Sequence, residues 1–161
     1  MGQPIKRSES LMPLSREHHI GLLFCWKLRQ GIKFEVPADR IVPYVLFFFN
    51  KFLNNHFTEE EQQVFIYATG ELSGKAVAEH SSIKALVQKI EAGKAMKGYS
   101  DLLALADMVD EHIRFEERVL FPHIETRVSK QELEMIGSHL SAEVLTDDYP
   151  DAFWIKDKPA G

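Results

Sequence analysis

The sequence predicts an all-α protein: an antiparallel up-down four-helix bundle with a short additional C-terminal helix and an irregular tail. Three observations carry that prediction. Apolar residues recur at helical three-and-four spacing over four long stretches. Short segments marked by glycine or proline separate those stretches, as in bundles with neighbouring helices. No stretch alternates as a strand would, and the chain has no Asn-Gly or Asp-Gly hairpin turn.

Residues 1–14 read as an N-terminal extension. Ser15, a residue type that caps helix N-termini, opens the first helix, and Gly31 closes it. After the extended KFEVPAD segment, Asp39 opens a long second helix, RIVPYVLFFFNKFLNNHFTEEEQQVFIYAT. Pro43 is expected in or near its first turn, where a missing N–H is tolerated, and Gly70 and Gly74 follow its end. A third helix covers about Ala76 to Ala92. The glycines of GKAMKGYS part it from a fourth, DLLALADMVDEHIRFEERVLF, capped by Ser100 and ending around Pro122 or shortly after. The bundle therefore spans 15–126. In 127–161 the capping box Ser129-Lys130-Gln131-Glu132 announces a short helix to about Ser141, and Phe153 and Trp154 are expected to pack the tail onto the body.

The 161 residues fit one domain with a core that needs no disulfide, and the one cysteine, Cys25, can form none internally. Nineteen Lys and Arg against 24 Asp and Glu leave a net charge of -5, which argues against a nucleic-acid partner. MGQPIKRSESLMPLS lacks the apolar run of a secretory signal, and the near-apolar stretch from Ile41 to Phe49 is too short to cross a bilayer. A cytoplasmic location with no membrane partner is the expectation. Phe47, Phe48, Phe49 and Phe52 read as helix packing, with a homo-oligomer contact as the alternative.

The chemistry lies in an internal repeat. His56-x-x-x-Glu60-Glu61-x-x-x-Phe65 on the second helix matches His112-x-x-x-Glu116-Glu117-x-x-x-Phe121 on the fourth. Residues four apart share a helix face, so each repeat aims one imidazole and one carboxylate in the same direction. On the fourth helix that direction is the apolar stripe of Leu105, Met108, Phe115 and Val119, hence the core. Two buried carboxylates facing each other repel and are costly without a positive charge between them. His80, in line with Val77, Ile83 and Val87 on the third helix, adds an imidazole, and the first helix offers His18 and His19. Adjacent helical residues diverge by about 100°, so one of those two faces inward. From His19 the same face runs through Leu22, Leu23 and Trp26, so His19 is the expected ligand and His18 the alternative. Four imidazoles and two shared carboxylates can hold two metal ions, and this donor set suits iron or manganese better than a closed zinc site. Glu17, Glu59, Glu61, Glu79 and Glu117 read as surface residues or outer partners of the histidines. His123 and His139 read as structural or exposed. Trp26, Phe57 and Phe115 are expected as an apolar wall around the metals.

Through LSREHH, HFTEEEQQVF, EHSSIKALV and HIRFEERVLFP, over about residues 14 to 125, the chain resembles the hemerythrin-like family, or HHE cation-binding domain. The resemblance implies a four-helix bundle around two non-heme iron ions bridged by an oxo or hydroxo group. It places Glu60 and Glu116 as bridges, His19 and His56 at one iron, and His80 and His112 at the other. Oxygen-carrying members have a second histidine four residues along the third helix, where this chain has Lys84, and an aspartate bridge five residues after the fourth-helix histidine, where this chain has Glu116 at four. The set of four histidines and two glutamates is similar to that of iron-sensing relatives. The implied function is binding of a small ligand such as O2, NO or peroxide, in sensing, detoxification or iron handling. The alternatives are a di-iron oxidase or peroxidase-like enzyme, and a metal-free helical interaction module.

Overall fold

The structure is a computed structural model that describes residues 6–93, 98–141 and 143–156. The outer ends of the expected N-terminal extension and tail, and residues 94–97 of the loop after the third helix, lie outside the described residues. Among the described residues the chain is all-helical, with no strand. Its α-helices are α1 (Met12–Lys33), α2 (Ala38–Phe48), α3 (Asn54–Glu59), α4 (Gly70–Glu91), α5 (Ser100–Phe115), α6 (Phe121–Arg127) and α7 (Lys130–His139). Two π-helical turns, Phe49–Leu53 and Glu116–Leu120, join α2 to α3 and α5 to α6 without a break in helical backbone, and a third, Glu60–Val64, extends α3 into a 3-10 turn, Phe65–Tyr67. The expected second helix is thus α2 and α3 with their turns, and the expected fourth is α5, a π turn and α6.

Several boundaries differ from expectation, each for a local reason. The first helix starts at Met12, before Ser15, because Pro13 supplies the fixed φ of a first turn. Pro43 lies inside α2 with an exposed side chain. The fourth helical stretch ends at Arg127, shortly after Pro122 as expected, with Pro122 following the π turn that ends at Leu120. The third helix begins at Gly70, after Thr69 in extended backbone. The Ser129 capping box forms as expected: the Ser129 hydroxyl accepts from the Glu132 N–H, and the Glu132 carboxylate accepts from the Ser129 N–H, both at 3.1 Å.

Two apolar cores flank the middle of the helices. One gathers Phe24, Leu28, Ile41, Tyr44, Phe48 and Val109. The other gathers Leu14, Val64, Phe65, Leu120, Phe121 and Ile136. Between α1 and α5 the approach is close. A Cβ on Gly21 would stand 2.7 Å from Ile113 Cδ1, so any larger residue here would push the Ile113 side chain aside. Arg29 of α1 also pairs with Asp107 and Asp110 of α5, each at 2.8 Å.

The tail packs down as its aromatics suggested. Phe153 is fully buried, 5.3 Å from the Tyr44 ring. Asp147 accepts from Lys27 Nζ at 2.9 Å and from the Tyr44 hydroxyl. Tyr149 lies against Phe47 at 5.0 Å, so the tail covers part of the phenylalanine cluster. Cys25 is buried, and desolvation pushes its thiol up to about 12.

Candidate metal centre

His56 and Glu60, and His112 and Glu116, project together because each pair is one helical turn apart. Both glutamates open π-helical turns. A π turn adds a residue to the helical circuit and re-aims what precedes and follows it. Val119, expected in the core stripe, is 46% exposed as a result, and Leu120 takes the buried place.

Glu60 and Glu116 are wholly buried, and four imidazoles surround them. His56 Nε2 lies 3.1 Å and His80 Nε2 3.3 Å from Glu60 Oε1. His112 Nε2 lies 2.8 Å and His18 Nε2 3.3 Å from Glu116 Oε1, and His18 Nε2 is 3.7 Å from Glu60 Oε2. The six side chains form two quartets that share both glutamates: His18, His56, Glu60 and Glu116, and His80, His112, Glu60 and Glu116. Within each quartet one ligand atom per residue lies within 4.8 Å of the others. The Nε2 atoms of His18, His80 and His112 and all four carboxylate oxygens are buried without a hydrogen-bond partner. Orphaned polar atoms at this density are costly in a protein interior, and cations between them would satisfy all at once. The donor set fits a pair of metal ions.

The outward nitrogen of each imidazole is equally specific. His56 Nδ1 faces Glu17 at 2.7 Å, His80 Nδ1 faces Glu61 at 3.0 Å, His112 Nδ1 faces Glu79 at 2.8 Å, and His18 Nδ1 faces Glu117 at 3.2 Å. A carboxylate only accepts, so each Nδ1 carries a proton, and when the ring is neutral its Nε2 presents a lone pair inward. The four contacts close a cycle: α1 holds the histidine of α3, the turn after α3 holds that of α4, α4 holds that of α5, and the turn after α5 holds that of α1. The phenylalanines of the repeat follow the same order. Phe65 packs on His80 at 5.3 Å, and Phe121 stacks on His18 at 5.4 Å. Phe57 stacks on the other face of the site, 3.9 Å from His80.

The metal-free electrostatics show the strain of this arrangement. Burial and the Glu116 charge hold the Glu60 carboxyl well above the usual carboxylate range. Burial would raise Glu116 too, but His112 and the other donors around it keep it ionised, well below that range. Burial depresses an imidazole, yet the carboxylates around His18 and His112 overcome it and lift both to about 10. His80 follows burial instead, reinforced by the cationic His112, and falls to about 3. Protons thus occupy the cluster in place of cations.

Five of the six expected ligands, His56, Glu60, His80, His112 and Glu116, come together. The sixth expectation is corrected: His18 completes the cluster and His19 is exposed. Of the stripe that favoured His19, Leu22 is half-buried against the core but Leu23 and Trp26 face outward, 44% and 47% exposed, so Trp26 is no wall of the site either. The four outer carboxylates lay unassigned among surface and outer candidates. Their signal was a second repeat: Glu17-His18 on the first helix matches Glu79-His80 on the third. His123 Nε2 accepts from the Thr69 N–H at 3.4 Å, and His139 is exposed, both away from the cluster.

Residues 25–128 match a family model described as the hemerythrin HHE cation binding domain. The match takes in His56, Glu60, His80, His112 and Glu116, and begins after His18. No curated protein and no solved structure matches the chain.

Proposed function

The chain belongs to the hemerythrin HHE cation-binding family, and from that premise we propose that it is a non-heme di-iron protein that binds a small ligand such as O2, NO or peroxide. We read 15–126 as the metal-binding unit, an antiparallel up-down bundle, with 1–14 and 127–161 as additions. His18 and His56 would hold one ion, His80 and His112 the other, and Glu60 and Glu116 would serve both. The iron pair would supply a redox-active Lewis acid with positions open to a small ligand. The protein's own part is to deliver neutral imidazoles with fixed tautomers, through Glu17, Glu61, Glu79 and Glu117, and to shield the pair with Phe57, Phe65 and Phe121.

The observation that carries this reading is the shared pair of buried, unpartnered carboxylates ringed by inward Nε2 atoms. Imidazole and carboxylate donors without thiolate favour iron over a structural zinc. Sensing, detoxification or iron handling in the cytoplasm is the proposed setting. No helix among the described residues is long and apolar enough to cross a membrane. The test is elemental analysis with absorption spectra under nitrogen and then air. The reading expects about two iron ions per chain, matching the two quartets, and a near-ultraviolet charge-transfer band after air. One tightly held zinc with no iron uptake on reconstitution would overturn it.

A further inference from the structure

A small apolar chamber adjoins the centre, walled by Phe48, Phe52, Leu53, Phe57, Val109 and Ile113, with His18, His56 and His112 also lining it. It offers about 20 Å³ of room for the centre of a water-sized sphere, space for one very small molecule. An apolar space of this size suits a neutral molecule of two or three atoms and disfavours an anion, which would shed its hydration on entry.

Three side chains, Glu17, Ile20 and Leu145, line both this chamber and a solvent groove outside it. They form the partition between the two. Glu17 is committed to His56, and Ile20 is set by the body of α1. Leu145 alone comes from the irregular strap that follows α7. That strap is pinned on either side of it. The Ser141 N–H donates to Glu59 at 3.3 Å, and Asp147 is held by Lys27 and Tyr44. Between the pins, the neighbouring Val144 is 82% exposed. The strap lies beyond residues 25–128, the stretch matched to the family model.

We propose that Leu145 is the movable wall of the chamber, setting the size and entry rate of a small neutral ligand that reaches the His18 and His56 side of the centre, with Asp147 as its latch. The ligand's destination rests on the proposed function; the chamber and its wall do not.

The test uses the full chain, wild type and Leu145→Ala, Asp147→Asn and Val144→Ala. In the metal-free protein, xenon-induced shifts of the Leu53, Val109 and Ile113 methyl resonances should develop at lower xenon pressure in Leu145→Ala than in wild type. In reduced, iron-loaded protein of measured iron content, nitric oxide should associate about tenfold faster in Leu145→Ala, which is about 1.4 kcal/mol off the entry barrier. Asp147→Asn should accelerate association without altering the wall itself, and Val144→Ala should match wild type. Xenon response and nitric oxide association within twofold of wild type in both Leu145→Ala and Asp147→Asn would overturn the proposal. A wild type without iron would overturn the proposed function instead, and the xenon measurement then decides the wall.

Discussion

Replacing Glu60 with glutamine separates what the centre costs the fold from what cations return to it. Glu60 is wholly buried, and burial with the adjacent Glu116 charge holds its carboxyl well above the ordinary range. Folding of the metal-free chain must therefore take up a proton at Glu60 once the unfolded carboxyl has ionised, above about pH 4.5. Each pH unit beyond that point costs about 1.4 kcal/mol, until the folded carboxyl itself ionises. Because the folded state binds the extra proton, this contribution lowers stability as pH rises. Glutamine keeps the shape of the protonated acid, can present an N–H to Glu116, and needs no proton. Metal-free Glu60→Gln is therefore expected to be more stable than wild type at pH 6, by about 1.4 kcal/mol for each pH unit over which the folded carboxyl keeps its proton, the advantage shrinking towards pH 4.5. Iron reverses the order. Wild type gains about 2.7 kcal/mol at a hundredfold excess over its dissociation constant, and the variant, missing a charged donor to both positions, gains little. Denaturant melts at several pH values, with chelator and with ferrous iron under nitrogen, read both effects. A metal-free variant less stable than wild type at pH 6, or equal stabilisation of the two by iron, would refute the reasoning.

His18→Ala should lose about one of two iron ions while His19→Ala keeps both, because only His18 belongs to a quartet; elemental analysis decides, and the opposite result would reinstate His19. Glu79→Ala removes the acceptor 2.8 Å from His112 Nδ1, so iron should be held about 10–100-fold more weakly in chelator competition; the exposed Glu71→Ala serves as the control. Loading at pH 7 should release protons, because His18 and His112 stand at about 10 without metal and must deprotonate to bind. Calorimetry in two buffers of different ionisation heat counts them, and a count of zero would contradict the protonated cluster. Gly31→Ala puts a Cβ 2.9 Å from the Phe153 ring and should cost about 1–3 kcal/mol, with helical content retained by circular dichroism.

The all-α class, the capping box at Ser129 and the packed tail were legible because each rests on local signals that tertiary contacts reinforce. The repeat of His56 and Glu60 with His112 and Glu116 was legible because its polar residues occupy apolar positions, a conflict only a shared purpose resolves. His19 failed for the converse reason. Leu22, Leu23 and Trp26 have the periodicity of a core stripe, yet periodicity finds an apolar face without saying what lies opposite it. The dipeptide repeat Glu17-His18 and Glu79-His80 carries the answer through pairing, because each glutamate serves the histidine of the next helix. The π turns were not legible. Each widens the helical circuit from Glu60 or Glu116 on, so Val119 faces outward against the simple periodic pattern.

The cycle of outer carboxylates divides the chain into two halves with equal parts. The half through Tyr67 holds Glu17 on His56 within itself and lends Glu61 to its neighbour. The half from Gly70 to Arg127 holds Glu79 on His112 within itself and lends Glu117 back. Each half gives what it receives, which is the relation between subunits of an isologous dimer. Two identical copies of one half, facing across a twofold axis, would satisfy the same cycle and rebuild the same six inward donors. The connection through Ala68 and Thr69 therefore joins in one chain two halves that stand to each other as the subunits of such a pair would, and the apolar chamber lies between them, with Phe48, Phe52 and Phe57 from one and Val109 and Ile113 from the other.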